Sequence, residues 1–331
     1  MGDMTQPKDR SADSAGRPVV SVIIVSYNTR ELTRQAIASL IEQTPDLPME
    51  VLVVDNASTD GSAAMIREAF PGVALTALDE NIGFAAANNL AAKSAVGEYL
   101  LLLNPDTIVL DRAVERLVEF ARSTPEAGIW GGRTLNADRT LNPTSCWARQ
   151  TPWSLFCRGT GLSTLFKGSK IFDSESYGGW ARDTVRQVDI VTGCFFLIRR
   201  ETWNGLGGFD PAFFMYGEEA DLCLRAAKRG LRPVVTPEAT IVHYGGASEK
   251  VREDKLVRLL KAKALLIRRH WPAWQAGYGV LMLECWSWSR GAAARVLAFS
   301  KKHRDAGAAW RGAWRRRAEW AGARGAAPCS T

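Results

Sequence analysis

The sequence predicts an α/β fold: a mostly parallel central sheet covered by helices, followed by a helical C-terminal appendage. Three observations carry this expectation. Apolar, β-branched runs alternate with segments of helical periodicity through the first hundred residues. The runs are apolar at consecutive positions, as strands covered on both faces must be. Each of them also stops abruptly in polar residues.

The elements follow in order. Val19-Val20-Ser21-Val22-Ile23-Ile24-Val25 reads as a strand that ends at Ser26-Tyr27-Asn28. Leu32, Ala36, Ile37, Leu40 and Ile41 then recur at helical spacing. A second strand, Val51-Leu52-Val53-Val54, ends at Asp55, and Asn56 to Gly61 is turn and N-cap chemistry throughout. A helix over 63–70, a strand over 73–78, the loop Asn81-Ile82-Gly83-Phe84 and a helix over 85–94 come next. The fourth strand, Glu98 to Leu103, stops at Asn104-Pro105-Asp106, where proline removes a donor and fixes φ. Ligands of open α/β sheets bind at the carboxyl ends of the strands. One polar strand end is ordinary turn chemistry; Asn28, Asp55 and Asp106 together predict a crevice.

Residues 133–187 show little periodicity and predict an irregular segment, functional or mobile. Residues 188–191 and 194–198 read as strands and 201–206 as a short helix. Gly207-Gly208-Phe209-Asp210-Pro211 reads as a turn, with Phe213, Phe214 and Tyr216 beyond it.

Glu218-Glu219-Ala220-Asp221 opens a helix that closes on Lys228-Arg229-Gly230. Acids in the first turn and bases in the last complement the helix dipole, which is a sufficient structural account. Three carboxylates in four positions exceed what the dipole requires, and crowding raises a carboxyl pKa toward that of a general base. His243 ends the strand-like Thr240-Ile241-Val242 ahead of Tyr244-Gly245-Gly246 and is the one histidine placed like a ligand, although a lone histidine is more often a structural residue. His270 and His303 read as surface residues of the tail.

Composition bounds the rest. No G-x-G-x-x-G follows the first strand and no G-x-x-x-x-G-K-[ST] occurs, so the usual dinucleotide and P-loop readings lack support. The six cysteines form no C-x-x-C and read as reduced thiols. Residues 1–17 are polar, lack an apolar signal-peptide core and read as a disordered leader. The formal charge of +7 is unevenly placed: from Lys250 onward there are 18 Lys/Arg against 5 Asp/Glu, and elsewhere 24 against 30. Seven of the 12 tryptophans also fall in that basic tail. Its nearly uncharged span Trp271 to Ser289 is too weakly hydrophobic for a transmembrane helix. Together with Trp310, Arg311, Trp314 and residues 315–317, it reads as an amphipathic segment for an anionic membrane surface, or as a helical appendage with a solvated basic face. Nucleic acid is not expected as a partner.

Seven motifs in order resemble glycosyltransferase family 2. They are Val22 to Asn28, Val54 to Ser62, Asn81 to Asn89, Leu103 to Asp106, Gly207 to Asp210, Glu218 to Leu222 and His243 to Gly246. The Asn-Ile-Gly-Phe segment with its double asparagine is similar to the bacterial rhamnosyltransferase branch. The resemblance implies a GT-A domain over 18–250, with residues 251–331 as a basic, Trp-rich tail. It also implies inverting transfer from a nucleotide-diphosphate sugar (a dTDP- or UDP-sugar, with dTDP-L-rhamnose favoured) to a lipid-linked or cell-surface glycan. The donor would be held by Ser26, Tyr27, Asn28, Asp55, Asn81, Gly83, Asn88, Asn104 and Asp106. A divalent metal, Mg²⁺ or Mn²⁺, would rest on Asp106 and His243, and the acceptor on Phe209, Asp210, Phe214 and Asp221. Glu219 is favoured as the base, with Glu218 as the other candidate. The implied location is the inner face of the plasma membrane, peripherally bound. Two departures stand out: Asn104-Pro105-Asp106 replaces the usual Asp-x-Asp, and Glu218-Glu219 the usual Glu-Asp. They keep a non-catalytic nucleotide-sugar-binding or membrane-associated scaffold in view.

Overall fold

A computed structural model of the chain describes residues 17–245, 252–296 and 301–322. The expected leader (all but Arg17), Gly246, the 250/251 boundary, the His303 side chain and Cys329 lie outside what is described.

The first half alternates as the sequence predicts: β1 (Val20–Ser26), α1 (Arg30–Glu42), β2 (Met49–Asp55), α2 (Ser62–Ala69), β3 (Ala74–Ala77), α3 (Phe84–Ser94) and β4 (Tyr99–Leu103). These strands are parallel in the order β3-β2-β1-β4. Every residue of β1 and β4 is buried, because the sheet is covered on both sides. Ile23, Val25, Leu100 and Leu102 pack toward the alanine face of α3, while Val22, Ile24, Leu101 and Leu103 pack with Ile37, Leu40 and Ile66. Unbroken apolar runs are the sequence signature of that double cover.

The second half is β5 (Thr107–Val109), α4 (Ala113–Ser123), β6 (Ile129–Leu135), β7 (Leu141–Asn142), β8 (Cys146–Trp147), α5 (Pro152–Thr160), α6 (Leu162–Leu165), β9 (Arg186–Gln187), β10 (Ile190–Val191), β11 (Phe195–Arg199), α7 (Arg200–Leu206), α8 (Glu218–Lys228) and β12 (Val234–His243). The main sheet runs β3-β2-β1-β4-β11-β6-β12-β5. β11 is antiparallel to both β4 and β6, and β12 is parallel to β6 but antiparallel to β5. β5 follows β4 by three residues in the chain yet lies at the far end of that order. Four Cα steps span at most about 14 Å, so the sheet must curl to bring the ends of β4 and β12 together.

The segment 133–187 is more regular than its composition predicts. Thr151 and Ser154 form a reciprocal capping box at 3.1 and 2.9 Å, and Pro152 starts α5 behind it. The elements here are too short for periodicity to reveal them.

The tail forms α9 (Arg252–His270), α10 (Ala273–Val296), α11 (Lys301–Arg315) and α12 (Arg317–Ala321). Val257, Leu260, Ala264 and Ile267 of α9 pack with Leu155, Leu283, Trp286 and Trp320. Ala262 and Leu266, on another side of the same helix, join the core under the sheet. Among the described residues no helix is long and apolar enough to cross a membrane. The five described cysteines are free.

Candidate functional site

The strand ends are joined before anything binds there. Register pairs Ser26 with Asp55, so the loops after β1 and β2 leave the sheet side by side. The Asn28 N–H donates to the Ser58 hydroxyl at 2.9 Å, and Asn28 Oδ1 accepts from the Thr59 N–H at 2.8 Å. Asn28 holds φ at 52°, which asparagine tolerates better than most residues. Asn56 extends the stitching to the third loop: Nδ2 donates to Asn81 Oδ1 at 3.0 Å, and Oδ1 accepts from the Ile82 N–H at 2.9 Å. Asp55 is buried, with Oδ2 accepting from the Ser58 N–H at 3.1 Å and Oδ1 left without a partner. A buried carboxylate oxygen with no donor is the kind of vacancy a ligand hydroxyl or N–H fills.

Asp106 and His243 meet because of strand pairing. After Pro105 the chain enters β5, which pairs with the end of β12 so that Thr107 faces His243. The Tyr244 N–H then donates to the Asp106 carbonyl at 3.0 Å, and His243 Nε2 lies 3.2 Å from Asp106 Oδ1. Burial alone would lower the His243 pKa, but Cys194 and the Asp106 carboxylate outweigh it and lift the pKa to about 10. Asn104 stands beside them, its Nδ2 3.4 Å from His243 Nε2 and its Oδ1 buried without a partner. Among the described residues no three His, Cys, Asp or Glu side chains gather as a metal cage. One carboxylate, one imidazole and an unpaired amide oxygen do fit an oxygen-rich divalent ion that takes its other ligands from phosphate and water.

The second acidic group opens α8 behind Gly217, whose φ is 90°. Glu218 is buried with Oε2 unpartnered, and burial together with the neighbouring Glu219 charge raises its pKa well above the ordinary value. Glu219 is half-buried; burial raises its pKa as well, against opposing backbone N–H groups and the Lys263 ammonium. Gly193 and Cys194 tie this pair to the metal-type pair. A Cβ on Gly193 would lie 3.9 Å from Glu219 Cβ, and the next residue's carbonyl accepts the Asn104 N–H at 3.1 Å. Both carboxylate groups therefore border one short turn before β11.

Several expected site residues sit elsewhere. Ser26 has no exposure, and its hydroxyl bonds Thr33 at 3.0 Å inside the sheet, so it shapes the loop and does not reach a ligand. Asn88 is buried and donates to the Phe84 carbonyl at 2.9 Å within α3. Phe209 belongs to the core, its ring 4.8 Å from that of Trp203, which removes it from acceptor contact. Asp221 is also buried, held by Arg225 Nε at 2.7 Å and His270 Nε2 at 2.8 Å. His270 is accordingly a half-buried partner of α8, not the surface residue its setting suggests. Asp210 is partly exposed and pairs with Arg269. Tyr27 is half-buried, Phe214 is exposed at the rim, and the Phe214 carbonyl accepts the Phe84 N–H at 2.8 Å beside Gly83.

Three participants escaped sequence reasoning. Gly193 and Cys194 carry no motif. Lys263 reads as one position of an amphipathic repeat, yet it is half-buried with Nζ 2.9 Å from Glu175 Oε1. Glu175 Oε2 in turn lies 3.1 Å from Arg158. A lysine on the apolar face of a helix was the one available signal.

Known proteins place this geometry. Residues 21–203 match the model of glycosyl transferase family 2. The O-antigen biosynthesis protein RfbC of Myxococcus xanthus is 32% identical over 71% of this chain, which spans only 18% of that relative. The N-acetylglucosaminyl-diphospho-decaprenol L-rhamnosyltransferase of Mycobacterium tuberculosis is 28% identical over 68% of this chain and 76% of its own length. A mannosyltransferase from Pyrobaculum calidifontis, solved with GDP-Man and Mn²⁺, superposes with a TM-score of 0.54 at 22% identity, covering 95% of this chain and 90% of that one. That last likeness concerns the GT-A fold alone. On the family match, which covers more than half of its length, this chain belongs to glycosyl transferase family 2.

Proposed function

We propose that the protein transfers L-rhamnose from dTDP-L-rhamnose to a hydroxyl of a lipid-linked or cell-surface glycan, by single displacement with inversion. The observation that carries this reading is the pair of acidic groups around Gly193 and Cys194. Asp106 with His243 lies on one side and Glu219 on the other. The sugar and acceptor are inferred from the mycobacterial relative, whose name specifies a decaprenol-linked rhamnosyl transfer.

Asp106 and His243 would hold a divalent metal, Mg²⁺ or Mn²⁺, with the Asn104 amide oxygen beside them; bound there, such an ion neutralises charge on the departing diphosphate. Asp55 Oδ1 accepts from the nucleoside, and the stitched loops at Asn28, Asn81 and Gly83 hold the surrounding backbone rigid. Glu219, with its raised pKa, takes the acceptor proton as the new bond forms. Glu218, raised further by burial and by the Glu219 charge beside it, favours its neutral form and so limits negative charge in the site. Phe214, which is exposed, and Asp210, which pairs with Arg269, are the acceptor candidates that stay accessible. Work at the cytoplasmic membrane face follows from a lipid-linked acceptor.

The test is a panel of nucleotide sugars with Mn²⁺, read as nucleoside diphosphate release and as glycosylated lipid acceptor. Turnover confined to dTDP-L-rhamnose supports the reading. Turnover with another donor replaces the sugar, and binding without turnover for any donor rejects catalysis in favour of a scaffold.

A further inference from the structure

Helix α10 is apolar on most sides but covered on only part of its surface. Val280, Leu283 and Trp286 are buried against α9 and α5. Trp274, Tyr278, Leu281 and Trp288 stand at 79, 37, 51 and 59% exposure. Their spacing of four, three and seven residues aligns them in one stripe along the helix.

A second exposed group lies on α5, which packs against α10, and on α6 and the turn after it. α5, α6 and the turn after them present Trp153, Phe156, Leu165, Phe166 and Ile171 to solvent. The Trp153 and Phe156 rings stack at 5.7 Å, and Phe166 meets Phe172 at 4.9 Å. Arg290 Nη2 of α10 donates to the Thr164 hydroxyl at 2.8 Å, which fixes the two groups to each other. Close packing does the same at Gly159, where a Cβ would lie 3.0 Å from the Met282 carbonyl oxygen. Nine of the fourteen strongly exposed large apolar side chains among the described residues fall in these two groups. Such a concentration is an interaction surface, since monomers rarely leave patches of this kind uncovered.

Charge selects the occupant. Exposed Lys167 and Lys170 sit between Phe166 and Ile171, Arg290 follows Trp288, and the only acid across 161–172 and 271–290 is Glu284. Tryptophan and tyrosine rimmed by lysine and arginine are the composition of the headgroup–acyl boundary. At the arginine-rich end of the tail, Arg316 is engaged with Asp254 at 2.6 Å and Glu319 at 2.8 Å and Trp320 is buried, while Arg315 and Arg317 stay exposed. We propose that α5, α6 and the turn to Ile171, together with the outer stripe of α10, form one monotopic docking face for an anionic bilayer. The purpose of this face rests on the lipid-linked acceptor of the preceding reading, whereas its test needs no substrate.

The experiment is co-sedimentation of the full chain with vesicles of phosphatidylcholine, with and without phosphatidylglycerol, alongside light scattering of the free protein. The wild type binds the anionic vesicles, and Trp274→Ser/Leu281→Ser and Leu165→Ser/Phe166→Ser each weaken binding by about tenfold or more. Ile41→Ser/Val96→Ser, at equally exposed positions elsewhere, leaves binding unchanged and controls for general hydrophobicity. Unchanged thermal unfolding shows that the surface variants remain folded. Wild-type binding to neither vesicle, or equal binding by the face variants, overturns the proposal. So does a wild-type dimer that the face variants convert to monomer without any vesicle binding, which assigns the face to a second copy. Vesicle binding without sugar turnover rejects the proposed activity alone.

Discussion

His270 Nε2 lies 2.8 Å from Asp221 Oδ1, joining the last turn of α9 to the first turn of α8. Burial pushes the Asp221 carboxyl up, but His270 and Arg225 together pull it below its ordinary value of 3.8. A depressed carboxyl contributes stability that is complete above the unfolded value and disappears as pH falls through the native one. His270→Ala leaves the buried carboxylate with one partner and costs about 1–3 kcal/mol, read as a lower Tm at neutral pH. Asp221→Asn flattens the acid limb of Tm against pH, and an unaltered limb refutes the linkage.

The two glutamates at the start of α8 should separate cleanly. Burial and the Glu219 charge favour the neutral acid at Glu218, so Glu218→Gln preserves its shape and keeps kcat within about threefold. Glu219→Gln removes the base and lowers kcat by roughly 10²- to 10⁴-fold. In the wild type, kcat/KM falls on acidification with a midpoint above the ordinary glutamate value of 4.5, because burial raises Glu219. Equal losses in both variants contradict this division of labour.

Metal dependence has two readouts. EDTA abolishes turnover and Mn²⁺ restores it in the wild type but not in Asp106→Ala; calorimetry of Mn²⁺ binding shows the same loss. In the metal-free protein the His243 pKa is raised from 6.5 to about 10. Its contribution to stability is therefore complete below 6.5 and is lost as pH rises toward about 10. His243→Asn removes that alkaline decline, followed by thermal unfolding from pH 6 to 10.

Gly83 sits at φ 84°, and a Cβ there would lie 2.6 Å from the Phe214 carbonyl oxygen. Gly83→Ala must strain the backbone and part the loop from that carbonyl, at a cost of about 1–3 kcal/mol. Because the proposed donor site includes the same loop, KM for the nucleotide sugar is expected to rise as well. A variant with wild-type Tm and KM rules out the close approach.

The parallel half of the sheet was legible because strands covered on both faces leave unbroken apolar runs that end in polar residues. The Asn28, Asp55 and Asp106 turns could be read for the same reason. Proximity created by curling could not: the strand pairing that sets His243 beside Asp106 spans 136 residues of sequence. Phe209 misled because an aromatic after a glycine turn looks the same whether it faces a cleft or a core. His270 misled in the opposite direction, since a basic tail suggests solvent until its packing is known. The segment 133–187 stayed opaque because its helices are one or two turns long.

The chain of charges from Arg158 through the buried Glu175 to Lys263 bears on how this chain can be recombined. Its members come from two stretches of the sequence, Glu175 and Lys263 lying 88 residues apart. Exchanging the tail alone with that of a relative strands a buried carboxylate; exchanging residues 133–187 alone strands a half-buried ammonium. Chimeras meant to move acceptor choice between family members should therefore carry both stretches together, cut at the sheet and not at the apparent junction before Arg252.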